Sequence, residues 1–335
     1  MARLIEEIQL AWDSIQTVEG SSGWSTVAVL PSHPGRFRAG RNFPDHCEAL
    51  LTGFRTSAIP HSAKLPDGLG FQVTRLANQQ DGSTWLALTR SPNGNLEMFT
   101  TMVADVLDAV LTAGSGEDSR DLHVFLGRIR AWQEFMRKGS IPLSAEDEVG
   151  LIGELTLLGK MIGAGMSPVI AVNAWVGPTA DGIRDFALGC GAIEVKTTVS
   201  SKGFVARIGS LEQLDDTNCK PIFMGAIRFA LTEGGQTLPE KVAEISEILQ
   251  SDPLALSDFE DRLLAASYLI THAPRYHRRF SLREMALLEV DRSFPCMTHG
   301  NVKPGVVSAR YEVNLEHLLN RDVGLTTALK KLEMI

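Results

Sequence analysis

Cysteines and long apolar segments are scarce in this chain of 335 residues. The four cysteines lie far apart and none forms a CxxC pair, so we expect neither a disulfide framework nor a cysteine-bound zinc ion. A reducing cytoplasm fits this cysteine usage best. No run of about 18 uncharged apolar residues occurs, and the N-terminal segment carries two glutamates in place of a basic start. The sequence therefore predicts neither a membrane-spanning helix nor a signal peptide.

Several common catalytic and nucleotide-binding motifs are also missing. The eight histidines show no HxxxH or HEXXH spacing, which gives zinc hydrolysis no support. The glycines form neither GxxxxGK[ST] nor a strand-anchored GxGxxG, and no GxSxG elbow occurs. We expect no nucleotide to be bound by this chain, so any coupling to ATP would come from another protein.

The net charge of −8 argues against a protein that coats nucleic acid by bulk electrostatics. It does not exclude a nuclease, because a local basic surface and a bound divalent cation can serve a single site.

The chain length and the position of a Gly- and Ser-rich segment indicate two domains. The segment at 114–119 is rich in Gly and Ser and is the best linker candidate. We therefore expect an N-terminal α+β domain at 1–118, which binds DNA or a partner, and a mixed α/β domain at 119–335.

Hydrophobic periodicity locates the main elements of both domains. Helices are predicted at 3–17, 95–112, 121–137, 144–163, 239–249, 256–271 and 315–319. Strands are predicted at 26–30, 71–76, 84–89, 184–188, 192–198, 221–229, 282–290 and 305–313. Asp81-Gly82 would join two of these strands, and Ser144 would cap its helix together with Asp147.

The predicted hairpin at 184–198 carries the most informative side chains. Strand alternation directs Glu194 and Lys196 to one face and allows Ile193 and Val195 to be buried on the other. If Cys190 and Gly191 form the turn, Asp185 lies opposite Lys196. If Gly189 and Cys190 form it, Asp185 lies opposite Glu194.

In either register Asp185 and Glu194 are neighbours, roughly 5–8 Å apart. Two carboxylates that close repel each other unless a proton or cation lies between them. Mg²⁺ prefers oxygen ligands and often takes only one or two carboxylates. Lys196 would then help to orient or deprotonate the attacking water, or hold a phosphate oxygen.

This pattern resembles the PD-(D/E)XK nuclease superfamily, with Asp185, Glu194 and Lys196 in its signature positions and Arg184 in place of its proline. The segment Gly150 to Glu154 resembles the first core helix of that superfamily, which often adds a glutamate to the metal site. The chain looks most like the bacterial family of "PD-(D/E)XK motif proteins" over about residues 120–320. That family's elements correspond here to Glu154, Trp175 to Pro178, Asp185 to Thr198, Glu212 to Leu214, and Phe294 to Tyr311.

The resemblance implies a restriction-endonuclease-like mixed sheet flanked by helices. It implies an endonuclease that hydrolyses DNA with Mg²⁺, for which Mn²⁺ can substitute, in bacterial restriction or anti-phage defence. Asp185, Glu194 and Glu154 would be the metal ligands. Lys196 and Gln213 would complete the catalytic set, with Gln213 on the next helix.

Other interpretations of the same residues stay open. Asp181 could replace Asp185, although its Thr-Ala-Asp-Gly context favours a turn, and Glu194 with Lys196 could be a surface ion pair. The stretch at 262–283 contains five arginines and no acid, and a second basic stretch lies at 35–41. The candidates for DNA contact lie in the stretch at 262–283 and are Arg275, Arg278, Arg279 and Arg283.

A double-strand break needs two active sites or two visits, so we expect a homodimer or association with other defence subunits. The rival interpretations are a catalytically inactive DNA- or protein-binding subunit and a scaffold.

Overall fold

The structure is a computed structural model that describes residues 2–15, 23–30, 36–55, 59, 64–76, 83–113, 117–138, 141–177 and 183–335. The chain forms two compact units, residues 1–140 and 141–335. This boundary lies beyond the predicted one at 118/119. The predicted Asp81-Gly82 turn lies outside the described residues.

The first unit is an antiparallel sheet with helices, in agreement with the predicted α+β class. Its elements are α1 (Ala2–Ser14), β1 (Gly23–Ala28), β2 (Phe37–Phe43), β3 (Cys47–Arg55), β4 (Asp67–Gly68), β5 (Phe71–Leu76), β6 (Ser83–Arg90), α2 (Leu96–Ala113) and α3 (Asp118–Arg137). The strand order is β1-β2-β3-β6-β5-β4. The basic stretch at 35–41 is largely in β2. Arg36, just before this strand, pairs with Asp121, and Arg41 within it pairs with Glu48.

Helix α3 belongs to this first unit, which corrects the predicted domain boundary. Arg128 Nε lies 2.8 Å from Asp105 Oδ2 on α2, and Trp132 Nε1 donates to the same oxygen at 2.7 Å. The ring of Phe125 packs edge-on against Phe54 of β3. An apolar stripe shows that a helix is covered but not by which domain, so periodicity alone did not fix the boundary.

The second unit has a mixed four-stranded sheet. Its elements are α4 (Ala145–Gly163), α5 (Pro168–Ala174), β7 (Phe186–Leu188), β8 (Gly191–Thr198), β9 (Val205–Ile208), β10 (Ile222–Gln236), α6 (Leu238–Leu249), α7 (Pro253–Ala265), β11 (Phe280–Glu289), β12 (Tyr311–Asn314) and α8 (Leu325–Lys331). The order is β11-β10-β8-β7, in which only β8 and β10 run parallel. Strands β9 and β12 form a separate antiparallel pair.

Two apolar cores lie on opposite faces of this sheet. Ile193 and Val195 of β8 join a core with the helices α4 to α8. Alternate residues of β10 and β11, such as Met224 and Ala286, pack against β9 and β12 on the other face. No helix in the described ranges is long and apolar enough to cross a membrane.

Local signals explain several element boundaries. Ser144 caps α4 by accepting from Asp147 N–H, as predicted. The predicted helix at 256–271 instead begins at Pro253, because Asp252 caps it, and ends at Ala265, after which Ile270–Arg275 forms a 3-10 helix. The predicted strand at 305–313 is wrong for its first part, since β12 begins only at Tyr311. The predicted terminal helix at 315–319 is two short 3-10 turns.

Candidate active site

The β7–β8 hairpin turns at Gly189 and Cys190, the second of the two alternatives. Leu188 pairs with Gly191 and Phe186 with Ile193, so Asp185 follows opposite Glu194. Gly189 has a φ of +58°, which favours glycine. A side chain at position 191 would lie only 2.4 Å from a backbone oxygen, so that position also needs glycine.

Asp185 immediately precedes β7, at the point where the edge of β8 has no further strand partner among the described residues. Its carboxylate accepts a hydrogen bond from Val195 N–H, 2.6 Å from Oδ2. Its carbonyl oxygen accepts from Val176 N–H at 2.9 Å. The short strand thus leaves the β8 edge uncovered beyond Ile193, and the Asp185 side chain occupies that edge.

Glu194 and Lys196 share the face of β8 opposite Ile193 and Val195, as the alternation predicts. Glu194 is only 2% exposed, which contradicts a surface ion pair. Lys196 Nζ donates to Glu194 Oε1 at 2.7 Å. Glu194 Oε2 is buried and has no hydrogen-bond partner in the described part of the chain.

Glu154 approaches the same site from α4. Its Oε2 accepts from Trp175 Nε1 at 2.8 Å. The preceding residue, Gly153, packs on β8 so closely that a Cβ atom there would lie 1.9 Å from Thr197 Cγ2. The glycine therefore allows the helix carrying Glu154 to contact the strand carrying Glu194.

Burial raises the pKa values of all three carboxyl groups, and the charge of Asp185 further raises those of the two glutamates. Burial, and then the charge of Asp185, raises the pKa of Glu154 well above its usual range. Burial likewise raises the pKa of Asp185. Burial and the charge of Asp185 raise the pKa of Glu194 to about 8, against the opposing effect of Lys196. A cation close to these groups would relieve this unfavourable arrangement.

Only part of the predicted metal set is assembled. Among the described residues, no three His, Cys, Asp or Glu side chains gather as a metal site. The Asp185 carboxylate is turned to the Val195 amide, and that of Glu154 to Trp175. The unpaired Glu194 Oε2 and its neighbour Asp185 still suit a hard cation, which needs few carboxylates and retains water. The three-ligand set stays a prediction.

Gln213 contacts the site directly, from a turn and not from the predicted helix. Its Nε2 donates to Glu194 Oε1 at 2.9 Å, and its Oε1 accepts from Gly209 N–H at 2.7 Å. The amide is therefore held at both ends, and it orients the Glu194 carboxylate.

Arg184 anchors the turn that carries Gln213, a role the sequence did not reveal. Its Nε donates to the carbonyl oxygen of Gln213 at 2.9 Å. Its Nη2 donates to the carbonyls of Glu212 and Asp215, at 3.0 and 2.6 Å. The arginine that replaces the signature proline thus fixes a neighbouring segment. The sequence hinted at this role only by having arginine in place of the signature proline. Hydrogen bonds to backbone carbonyl groups do not depend on the identity of the partner residues, so no sequence motif reveals them.

The arginines predicted to contact DNA divide into two groups. Arg278 donates to Glu148 Oε2 at 2.9 and 2.7 Å, and Arg279 Nη2 lies 2.9 Å from Glu240 Oε1. These two fasten elements of their own unit and are not free phosphate contacts. Arg275 and Arg283 are exposed and stay candidates. Asp181, the alternative to Asp185, lies outside the described residues.

A family model described as "Putative PD-(D/E)XK family member (DUF4420)" matches residues 8–316, a range that includes the whole candidate site. No curated protein and no solved structure is significantly similar to the chain. The mixed sheet, with its acidic hairpin and helices, agrees with the restriction-endonuclease-like fold. The chain therefore belongs to this PD-(D/E)XK family.

Proposed function

We propose that the protein is a metal-dependent DNA endonuclease that hydrolyses phosphodiester bonds. The observation that carries the proposal is the contact of Lys196 with the buried carboxylate of Glu194, beside Asp185 at an open sheet edge. Such an acid–acid–lysine set, buried and electrostatically strained, is typical of a reactive site. The proposed cytoplasmic role in restriction or anti-phage defence rests on the sequence resemblance and the cysteine usage.

Asp185 and Glu194 would hold a divalent cation, Mg²⁺ or in its place Mn²⁺. Glu154 would join them directly or through water. The cation would supply Lewis acidity toward a phosphoryl oxygen and lower the pKa of water. Lys196 would orient the attacking water or stabilise negative charge on the phosphate. Gln213 would keep Glu194 in place.

An inactive DNA- or protein-binding subunit is the second candidate. The carboxylates of Asp185 and Glu154 both accept hydrogen bonds from their own chain, and this observation favours it. We further propose that an active enzyme cutting both strands works as a homodimer or with other subunits, because a double-strand break needs two cleavage events.

Comparison of Glu194→Ala with Lys196→Ala tests the nuclease proposal. Glu194→Ala should lose Mn²⁺ binding in calorimetry together with Mg²⁺-dependent plasmid cleavage, because it removes a ligand. Lys196→Ala should bind Mn²⁺ at least as well, since a competing charge is gone, yet cleave about 10²–10⁴-fold more slowly. Lys330→Ala, which removes an exposed lysine from α8, is the control and should cleave normally.

Near-normal cleavage by both site variants would show that the hairpin is not the active site. Equal loss of Mn²⁺ binding in both variants would contradict the division of roles. Wild-type protein that neither binds Mn²⁺ nor cuts DNA would support the inactive subunit instead.

A further inference from the structure

An irregular loop between two strands of the second unit passes close to Gln213. We define the basic loop as residues 292–310, between β11 and β12. Within it, His299 Nε2 lies 2.7 Å from Glu212 Oε1, next to Gln213 in the chain. At its end, Tyr311 pairs with Ile208, so Arg310 follows opposite Gly209, the residue that donates to Gln213. The basic loop therefore contacts or pairs with residues on both sides of Gln213 in the chain, and Gln213 itself contacts Glu194.

The basic loop has no acidic residue of its own, although Glu212, Asp215 and Asp216 of a neighbouring segment lie close to His299 and Cys296. From position 292 to 311 the sequence has no aspartate or glutamate. Arg292, Lys303 and Arg310 are exposed, and they make none of the side-chain hydrogen bonds or ion pairs found within the described ranges. This contrasts with the net charge of −8 and with Arg278 and Arg279, whose charges are balanced by glutamates.

Apolar side chains project from the same loop. Val306 is 41% exposed and Val307 is 85% exposed, close to a turn in which Val306 N–H donates to Lys303 O. Cations contact phosphates in protein–DNA complexes, and exposed apolar side chains can pack in the minor groove. Solvent-exposed valines between two unpaired cations match that combination.

We propose that the basic loop binds duplex DNA next to the active site, with Lys303 and Arg310 on backbone phosphates and Val306 and Val307 in the groove. This inference rests on the proposed action on DNA. It moves the main DNA contact away from the stretch at 262–283. Because His299 contacts Glu212 and Arg310 lies opposite Gly209, the bound strand would be directed toward Glu194 and Lys196.

Fluorescence anisotropy with a labelled DNA duplex tests the proposal, with Ca²⁺ in place of Mg²⁺ and with intact DNA confirmed on a gel. The variant Lys303→Ala/Arg310→Ala should weaken binding by about ten-fold or more. It should also reduce the slope of log K against log salt by about two, one for each phosphate contact. Arg275→Ala/Arg283→Ala removes the two exposed candidates of the stretch at 262–283 and should weaken binding much less than the basic-loop variant. The matched control, Lys160→Ala/Lys330→Ala, removes two exposed charges elsewhere and should bind like the wild type, with the melting temperatures of all variants unchanged.

A loss confined to the Arg275/Arg283 variant, or an equal loss in that variant and the basic-loop variant, would overturn the inference. So would wild-type protein that binds no duplex DNA. A cleavage assay tests the nuclease proposal independently. Wild-type protein that binds duplex DNA through the basic loop but cuts no DNA with Mg²⁺ or Mn²⁺ would refute the nuclease and leave the loop contact supported. Metal-dependent cleavage of DNA by the wild type, with duplex binding unchanged in the basic-loop variant, would refute the loop contact and leave the nuclease supported.

Discussion

The side chain of Glu194 combines two properties that are unfavourable for folding. It is almost fully buried, and one of its carboxylate oxygens has no hydrogen-bond partner among the described residues. Asp185 lies beside it, and Lys196 offsets only part of the resulting electrostatic strain. Such strain in a site of acids and one lysine is consistent with a function that only a bound cation completes.

We expect Glu194→Gln to raise the melting temperature of the metal-free protein, and to raise it more at pH 8 than near pH 5. The pKa of Glu194 is about 8 in the folded protein, but about 4.3 in an unfolded chain. Below both values the carboxyl is protonated in either state, and it then has no effect on stability. As pH rises toward 8, ionisation favours the unfolded chain increasingly, and the neutral glutamine removes this penalty.

Thermal melts in EDTA across this pH range measure the effect. Glu233→Gln, at an exposed position on β10, is the control and should shift the melting temperature little at any pH. Parallel curves for wild type and Glu194→Gln would show that the buried carboxyl is not strained.

The hairpin of β7 and β8 shows what local sequence can predict. Strand alternation correctly separates Glu194 and Lys196 from Ile193 and Val195, because a period of two depends on the strand alone. The cap at Ser144 is local in the same way. The role of Arg184 is not, since its partners lie near position 213, far along the chain. Strand β9 escaped prediction because its partner, β12, lies about 100 residues later in the sequence.

The two glycines of helix α4 give a matched comparison within one element. A Cβ atom at Gly153 would overlap Thr197 Cγ2, whereas one at Gly150 would meet nothing within 4 Å. We expect Gly153→Ala to destabilise the protein by about 1–3 kcal/mol, because α4 or Thr197 must move. Gly150→Ala should stabilise by up to about 1 kcal/mol, since alanine is the better helix former. Urea unfolding measures both free energies.

A second substitution identifies the cause of the Gly153→Ala defect. Thr197→Ser deletes the methyl group that a Cβ at position 153 would meet, so it should recover much of the lost stability in the double variant. Equal stability of Gly153→Ala and Gly150→Ala would contradict the close approach of α4 to β8.

Each of the two units has its own apolar interior. The core of the second unit is drawn from β8, β10 and β11 and from helices that all follow residue 141. Helix α3 fastens to the first unit through the buried Arg128–Asp105 pair. The Gly/Ser-rich segment at 114–119 runs from the end of α2 into the first turn of α3, so it lies within the first unit and does not mark the domain boundary. Residues typical of linkers also join packed helices, which is why composition misled the prediction here.

Two truncations test this division of the chain. A fragment of residues 141–335 should be soluble and melt cooperatively, because it retains its complete core. A fragment of residues 119–335 should aggregate or bind a hydrophobic dye, since its α3 residues Phe125, Ile129 and Trp132 would lose the α2 and β3 surfaces that bury them. Light scattering after size exclusion and dye fluorescence compare the two. Equal solubility and order in both fragments would show that α3 does not need the first unit, and an unfolded 141–335 fragment would show that the second unit does.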